Sequence, residues 1–340
     1  MESTFQDFIS GQSTFVLFTV LAVMIVVLAR GADLLVDKAV EISHSAGVPK
    51  ALIGATIVSL GTTLPEASVS VLAAIEGNPG MAMGNAVGSI ICDTGLILGL
   101  GTLIKPLPLD RRVVDRQGWI QLGSGLLLIL ICLPYSHLDG LFVYGGTMAQ
   151  VGGFLFIILL GVYFFWSYKM AMKSENRESK GQDEQLSWQT ISKDLLFMAL
   201  AVGVVIVTSK VLIVCAEELA HRWNVPESVI AASLVAFGTS LPELVTVMSS
   251  IKKGQGELAI GNIIGADILN VLFVAGAAAA VTPSGLAVPR DFFTTHFPVM
   301  LVLLLIFRFG IMVCKTHLSR WFGVLLVGTY LVFLLLNYLV

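Results

Sequence analysis

The sequence predicts an all-α polytopic membrane protein of ten transmembrane helices, arranged as two inverted five-helix repeats. The first observation is composition, because 56% of the residues are hydrophobic and only 13% are charged. A soluble domain carries about 25% charged residues, so lipid is the expected solvent. The second is ten long apolar runs. The third is an internal repeat, since residues 33–106 recur as residues 210–283 at a constant offset of 177.

The ten apolar runs are each close to the length of about 20 residues that a helix needs to cross hydrocarbon. We place them at 14–36, 51–74, 81–104, 119–137, 148–168, 194–220, 229–251, 257–280, 293–313 and 319–339. The long polar stretch at 169–193 divides the chain. We therefore expect a first five-helix repeat at 1–168, a hydrophilic linker at 169–193 and a second five-helix repeat at 194–340.

The distribution of Lys and Arg predicts the orientation. Loops after even-numbered runs hold only Arg222 and Arg290. Loops after odd-numbered runs hold fifteen basic residues: Lys38, Lys50, Lys105, Arg111, Arg112, Arg116, Lys169, Lys173, Arg177, Lys180, Lys193, Lys252, Lys253, Lys315 and Arg320. Basic loops stay in the cytoplasm, so we expect a cell-membrane protein with a cytoplasmic central loop and both termini outside. Five runs separate the two copies, and this odd number inverts the second copy relative to the first.

Several classes of protein are not indicated. A net charge of −3 gives no positive case for a nucleic-acid partner, and we expect none. The four cysteines show no CxxC spacing and are interpreted as packing residues. Nucleotide-binding loops, zinc-protease motifs and GxSxG sequences do not occur. We therefore expect no enzyme activity and no cofactor, and we expect a monomer in the lipid bilayer.

The repeat contains a hexapeptide that places a glutamate inside an apolar helix. Gly61–Glu66 reads GTTLPE and Gly238–Glu243 reads GTSLPE. Each proline lacks an N–H and clashes with the preceding turn, which predicts a break with free carbonyls near Gly61 and Gly238. Both glycines allow close backbone approach. An intramembrane carboxylate is expensive and therefore predicts a functional site.

The hydroxyl residues of each motif lie one turn before its glutamate, on the same helical face. A second polar stripe follows in the next helix at i, i+4 and i+8. It consists of Asn85, Ser89 and Asp93 in the first copy and of Asn262, Ala266 and Asn270 in the second. Carboxylates, hydroxyls and carbonyls are hard oxygen donors that suit Ca²⁺ or Na⁺. Asp267 replaces Ile90 of the first copy, and its role stays open.

These residues resemble the two alpha repeats of the cation/calcium exchanger superfamily, best known from sodium/calcium exchangers. The resemblance is carried by GTTLPE and GTSLPE and by GNAVGSIICD and GNIIGADILN. It implies antiport, in which Na⁺ entry drives Ca²⁺ out by alternating access. The metal-site residues that it implies are Glu66, Glu243, Asp93, Asn270, Thr62, Thr63, Thr239, Ser240 and Ser89, with backbone oxygens of Ser59 and Ala236.

The sequence departs from the pattern of this superfamily at two places. Asp93 and Asn270 exchange the Asn and Asp of microbial relatives, and Ala266 replaces a serine that usually contributes to a Na⁺ site. The resemblance also implies K⁺ independence, because potassium-dependent exchangers have Asp at the position of Asn270. Two alternatives remain open: an H⁺-coupled Ca²⁺/cation exchanger, and a passive cation channel that uses the same oxygens.

Overall fold

The computed structural model describes residues 8–135, 141–178, 188–223 and 236–339, and most of these residues are helical. We number the helices along the chain. They are α1 Thr14–Ser45, α2 Lys50–Thr62, α3 Leu64–Ile75, α4 Pro79–Ile104, α5 Arg111–Cys132, α6 Leu141–Tyr144, α7 Gln150–Glu178, α8 Trp188–Arg222, α9 Ala236–Thr239, α10 Leu241–Lys252, α11 Gly256–Ala280, α12 Phe292–Val313 and α13 Arg320–Leu339.

The membrane-spanning character of the chain is evident from helix length and composition. Among the described residues, six helices are long and apolar enough to cross a bilayer, or seven if the bent pair α2 and α3 forms one span. Helix α13 is a shorter apolar helix. Three predicted segments lie partly outside the described residues. They are the start of the span 229–251, the end of the span 119–137 and the middle of the linker 169–193. The chain is thus a polytopic membrane protein, and large apolar side chains such as Phe15, Val151 and Trp321 face outward as lipid requires.

Helices α4 and α11 form the centre of the bundle. In the most apolar 18-residue stretch of each helix, 72% of the residues of α4 and 83% of those of α11 are buried. The corresponding share is only 22% in α1 and in α7. Helix α11 packs against α2, α5 and α10, and α4 packs against α3 and α13. Helix α1 runs along α8 at the periphery and also contacts α10. The second polar stripe of each repeat therefore lies on a central helix.

Four of the described helices contain a π-helical stretch, which the sequence analysis did not predict. These stretches are Gly54–Val58 in α2, Ile91–Leu98 in α4, Asn270–Ala275 in α11 and Phe292–His296 in α12. A π-helical turn re-aims side chains and backbone oxygens, and such turns are frequent at functional sites. Two of the stretches contain predicted site residues, Asp93 and Asn270.

Glycines let α2 and α11 cross with their backbones in contact. A Cβ atom built on Gly54 would lie 2.6 Å from the carbonyl oxygen of Leu258. One built on Gly261 would lie 2.1 Å from the carbonyl oxygen of Ala51, and one built on Gly265 would lie 2.6 Å from Cα of Ala55. A side chain at any of these three positions would force the two helices apart, so small residues fix this helix–helix distance.

Two short antiparallel ladders join the connecting segments of the two halves. Strand β1 (Leu107–Pro108) pairs with β4 (His317–Leu318), and β2 (Gly146–Met148) pairs with β3 (Leu286–Val288). Each ladder thus takes one strand from the first half of the chain and one from the second. One ladder joins the segment after α4 to the segment after α12. The other joins the segment before α7 to the segment after α11.

Candidate functional site

Both glutamate motifs interrupt a helix at their third residue. Helices α2 and α3 meet at Thr63 with a bend of 45°, which confirms the predicted break. Helix α9 ends at Thr239 and α10 begins at Leu241, so Ser240 is the equivalent break. The backbone is bent at one residue rather than unwound over several. The physical reason is that each proline lies in the first turn of the following helix, where its missing N–H costs no helical hydrogen bond.

The motif glycines admit a neighbouring helix, as predicted. A Cβ atom on Gly61 would lie 2.7 Å from a methyl group of Val202, and one on Gly238 would lie 2.6 Å from Ile213. Both neighbours belong to α8. The peripheral helix α8 therefore touches both breaks.

At each break a new helix begins, and a glutamate lies at its N-terminal, positive end. Glu66 lies in the first turn of α3, and Glu243 lies in the first turn of α10. Glu66 is 0% exposed and Glu243 is 1% exposed. Free N–H groups and the helix dipole stabilise negative charge at a helix N-terminus. The broken helices thus lower the cost of holding two carboxylates at the centre of the bundle.

Contacts across the two repeats bring the motifs together. The hydroxyl of Thr63 donates to Oε1 of Glu243 at 3.5 Å. The hydroxyl of Thr62 donates to the amide oxygen of Asn262 at 3.5 Å. Glu66 lies within electrostatic reach of Glu243 and Asp93. Residues that are far apart in sequence therefore form one polar centre.

Asn85 joins three elements at this centre. Its amide nitrogen donates to the carbonyl oxygen of Glu66 at 3.0 Å and to the hydroxyl of Ser70 at 2.9 Å. Its amide oxygen accepts a hydrogen bond from Thr239 at 3.2 Å. Asn85 therefore positions the backbone of one motif and the hydroxyl of the other, which makes it a positioning residue rather than a free ligand.

Many oxygens at the centre are buried and make no hydrogen bond. They are both carboxylate oxygens of Glu66 and of Asp93, Oε2 of Glu243, the amide oxygen of Asn270, and the hydroxyls of Ser89 and Ser240. No Lys or Arg forms an ion pair with these carboxylates among the described residues. A buried polar group without a partner is costly. This donor set therefore suits a desolvated cation.

The remaining predicted ligands contribute differently. The carbonyl oxygen of Ser59 accepts from the backbone N–H of Thr63 at 2.9 Å and from the hydroxyl of Thr62 at 3.3 Å. Ala236 begins α9. In the described part of the chain, no three His, Cys, Asp and Glu side chains are arranged as a metal cluster. Any cation here would rely on hydroxyl and carbonyl oxygens beside the carboxylates.

Sequence reasoning missed a polar cluster next to this centre. Asp267 on α11 accepts hydrogen bonds from the hydroxyl of Thr94 on α4 and from Gln121 on α5. The available signal was the spacing of Gln117, Gln121 and Ser124, which places three polar residues on one face of an otherwise apolar helix.

Comparisons with known proteins show which family this chain resembles along its length. The family described as sodium/calcium exchanger protein matches residues 16–169 and 193–339. Inner membrane protein YrbG of Escherichia coli is 31% identical over 94% of this chain and 95% of that protein. Sodium/calcium exchanger MaX1 of Methanosarcina acetivorans is 29% identical over 93% of this chain and 97% of that protein.

The fold has a solved counterpart. The sodium-calcium exchanger NCX_Mj superposes with a TM-score of 0.79 at 23% identity, over 94% of this chain and 98% of that chain. The family match covers well over half of the chain, and it skips residues 170–192. The chain belongs to the sodium/calcium exchanger family of membrane cation/Ca²⁺ exchangers.

Proposed function

We propose that this protein is a secondary active antiporter that exchanges Ca²⁺ for Na⁺ by alternating access. The observation that carries the proposal is the pair of buried glutamates, Glu66 and Glu243, at the N-termini of two broken helices. Buried oxygens of Asp93 and Asn270 on the central helices also lack hydrogen-bond partners, and the charge of Asp93 lies within electrostatic reach of Glu66. The relatives named for sodium/calcium exchange support the choice of ions.

The donor set discriminates among cations. Side-chain donors to the ion would come from Glu66, Glu243, Asp93, Asn270 and the hydroxyls of Thr62, Thr63, Ser89, Thr239 and Ser240. Backbone oxygens would come from Ser59 and Ala236. An all-oxygen set matches the roughly 6–8 oxygen ligands of Ca²⁺, whereas Zn²⁺ and Cu ions prefer nitrogen and sulfur. No histidine or thiol belongs to the set.

Charge explains why the site would exchange rather than leak. Glu66, Glu243 and Asp93 together carry about three negative charges when ionised. One Ca²⁺ or several Na⁺ offset most of this charge. Burying an uncompensated ion costs several kcal/mol, so an empty site reorients slowly. Each reorientation of the site across the membrane therefore requires a bound cation. Uptake of one cation thereby becomes coupled to release of the other.

The architecture supports ten helices in two inverted repeats. The constant offset of 177, the equivalent breaks at Thr63 and Ser240 and the two ladders between halves all relate the first repeat (1–168) to the second (194–340). Inverted repeats place a substrate site at their interface. In this arrangement α1 and α8 move across the core, the linker at 169–193 is cytoplasmic, and both termini lie outside.

Charge-neutral substitutions test the site. Glu66→Gln and Glu243→Gln preserve side-chain shape, and each should abolish ⁴⁵Ca²⁺ uptake by reconstituted protein without reducing expression. Glu76→Gln is the matched control, because Glu76 is exposed at the end of the same helix α3. Wild-type uptake is expected for Glu76→Gln. Near-wild-type uptake by either motif variant would refute the assignment.

A further inference from the structure

An apolar groove runs between helices α5 and α7. Both helices pack against α11, but they make at most isolated contacts with each other. They meet at one end, where a Cβ atom built on Gly152 would lie 2.8 Å from a methyl group of Ile131. From there toward Ile120 and Trp166, a groove of about 380 Å³ separates them. Leu272 of α11, which is 4% exposed, forms its floor.

Each wall of the groove is one face of a helix. The lining residues of α5 extend from Ile120 to Leu127, and those of α7 extend from Leu159 to Trp166. Within each set the spacing is three or four residues, which places the members on one side of the helix. Seven residues of α-helix rise about 10 Å, so the groove runs for about that distance along both helices.

The groove offers apolar contact and little else. None of the described residues that line it is charged. Of its two hydroxyl groups, Ser124 donates to the carbonyl oxygen of Gln121 at 2.8 Å, and Tyr163 donates to the carbonyl oxygen of Ala55 at 2.7 Å. A charged ligand would lose its hydration there without gaining a partner. The volume lies in the range of small-molecule sites, which are mostly lined by apolar side chains.

The groove opens on the lipid-facing surface of the bundle. Val162, which lines it, is 56% exposed. Leu126 and Phe165, each next in sequence to a lining residue, are 44% and 59% exposed. Val162 and Phe165 lie inside the apolar span Gln150–Met172. The groove is therefore continuous with the surface that faces hydrocarbon, where acyl chains are the solvent.

We propose that this groove binds one acyl chain of a membrane phospholipid, lying along α5 and α7 and contacting Leu272. A chain in the groove touches walls on three sides, whereas a chain elsewhere on the surface touches one. The larger number of close atom pairs increases the dispersion attraction and holds this chain longer than its neighbours. The proposed occupant is thus a structural lipid rather than part of the exchanging lipid shell.

The groove contacts the backbone of two π-helical stretches. Leu272 belongs to the stretch Asn270–Ala275 of α11. Tyr163 holds the stretch Gly54–Val58 of α2 through its hydrogen bond to Ala55. A bound chain therefore packs behind segments that lead to the proposed exchange site. Any effect of the chain on ion transport rests on the proposed function, whereas its binding does not.

Tryptophan fluorescence tests the binding, because Trp166 lines the groove. Bromine atoms quench tryptophan on contact, so the probe is phosphatidylcholine with brominated acyl chains. The full chain that retains Trp166 alone, with Phe at its other four tryptophan positions, is titrated in detergent. The comparison protein retains only Trp321, which is 78% exposed on α13. We expect saturable quenching of Trp166 at lipid concentrations that leave Trp321 unquenched.

Two glycine substitutions locate the bound chain. A Cβ atom built on Gly123, which lines the groove, meets nothing within 4 Å, so Gly123→Phe can place its ring in the groove and should abolish the saturable quenching. Gly161→Phe is the matched control. A Cβ atom on exposed Gly161 also meets nothing within 4 Å, but Gly161 lies outside the lining, so quenching should be retained.

A second measurement keeps the native tryptophans and so does not depend on the folding of the single-tryptophan proteins. Unbrominated phosphatidylcholine should raise the unfolding temperature saturably in the wild type and in Gly161→Phe, because a ligand of the native state stabilises it. Gly123→Phe should lose this rise. Without added lipid, Gly123→Phe should unfold no lower than the wild type, because its ring covers the same apolar walls.

Two results would overturn the proposal. One is quenching of Trp166 that merely rises in proportion to lipid, as for Trp321, which would also be the outcome if a second copy of the chain filled the groove. The other is a saturable response that persists in Gly123→Phe. Neither measurement involves ion transport, so a failure of Ca²⁺/Na⁺ exchange would leave this inference untouched.

Discussion

The crossing of α2 and α11 gives a sharp prediction for Gly261→Ala. The new Cβ atom would lie 2.1 Å from the carbonyl oxygen of Ala51, whereas real Cβ contacts are essentially never shorter than 3.0 Å. The shortfall is 0.9 Å. The obstacle is main chain, which has no rotamer to change, so α11 has to move away from α2.

The magnitude follows from the cost of overpacking, which is typically about 1–3 kcal/mol. A backbone obstacle puts Gly261→Ala at the upper end, near about 3 kcal/mol. One kcal/mol lowers the unfolding temperature by about 2 °C in a large domain, so a decrease of about 6 °C is expected. The same movement separates Asn262 from Thr62, whose contact is 3.5 Å long, and should also reduce Ca²⁺ transport.

The assay is thermal unfolding of the purified protein in detergent. Gly161→Ala is the matched control, because Gly161 is an exposed helical glycine and a Cβ atom there meets nothing within 4 Å. Its unfolding temperature should stay within experimental error of wild type or rise slightly, since alanine favours helix. Equal unfolding temperatures for the two variants would refute the close crossing.

Two further substitutions test contacts around the site. Lys253, the residue that directly follows α10, pairs with Asp37 on α1 at 2.6 Å. Lys253→Met should therefore change the Ca²⁺ transport rate by up to about fivefold with little change in Ca²⁺ affinity. Lys252→Met, at an exposed neighbour, should not change the rate, and a changed affinity in Lys253→Met would contradict a role in α1 movement. Tyr163→Phe removes the hydroxyl that donates to the carbonyl oxygen of Ala55 at 2.7 Å. Unfolding measurements should show that the free energy of unfolding falls by about 1 kcal/mol. An unchanged free energy of unfolding would mean that this hydrogen bond makes no net contribution to stability.

The sequence predicted the features that depend on local chemistry. The helix break at Thr63 follows from Pro65, because proline disfavours continuation of the preceding turn. The close approach at Gly61 and Gly238 follows from the missing side chain. The burial of Glu66 and Glu243 follows from their position within apolar runs.

The sequence did not predict features that arise from tertiary packing. The π-helical stretches in α2, α4 and α11 have no local sequence signal, because an extra residue in a turn is stabilised by neighbouring helices. The positioning role of Asn85 depends on Glu66, Ser70 and Thr239, which only the tertiary structure brings next to it. Asp267 was also undecided, because Gln121 is 146 residues away in the chain.

The most direct test of the account is the dependence of Ca²⁺ uptake on a counter-ion gradient. Proteoliposomes containing the protein are loaded with Na⁺, with choline, or with choline plus a pH gradient, and ⁴⁵Ca²⁺ uptake is followed. The account predicts rapid uptake only with internal Na⁺, and loss of that uptake in Glu66→Gln. Uptake driven by the pH gradient alone would assign the protein to H⁺-coupled exchange, and uptake without any counter-ion gradient would identify a channel; either result would contradict Ca²⁺/Na⁺ antiport.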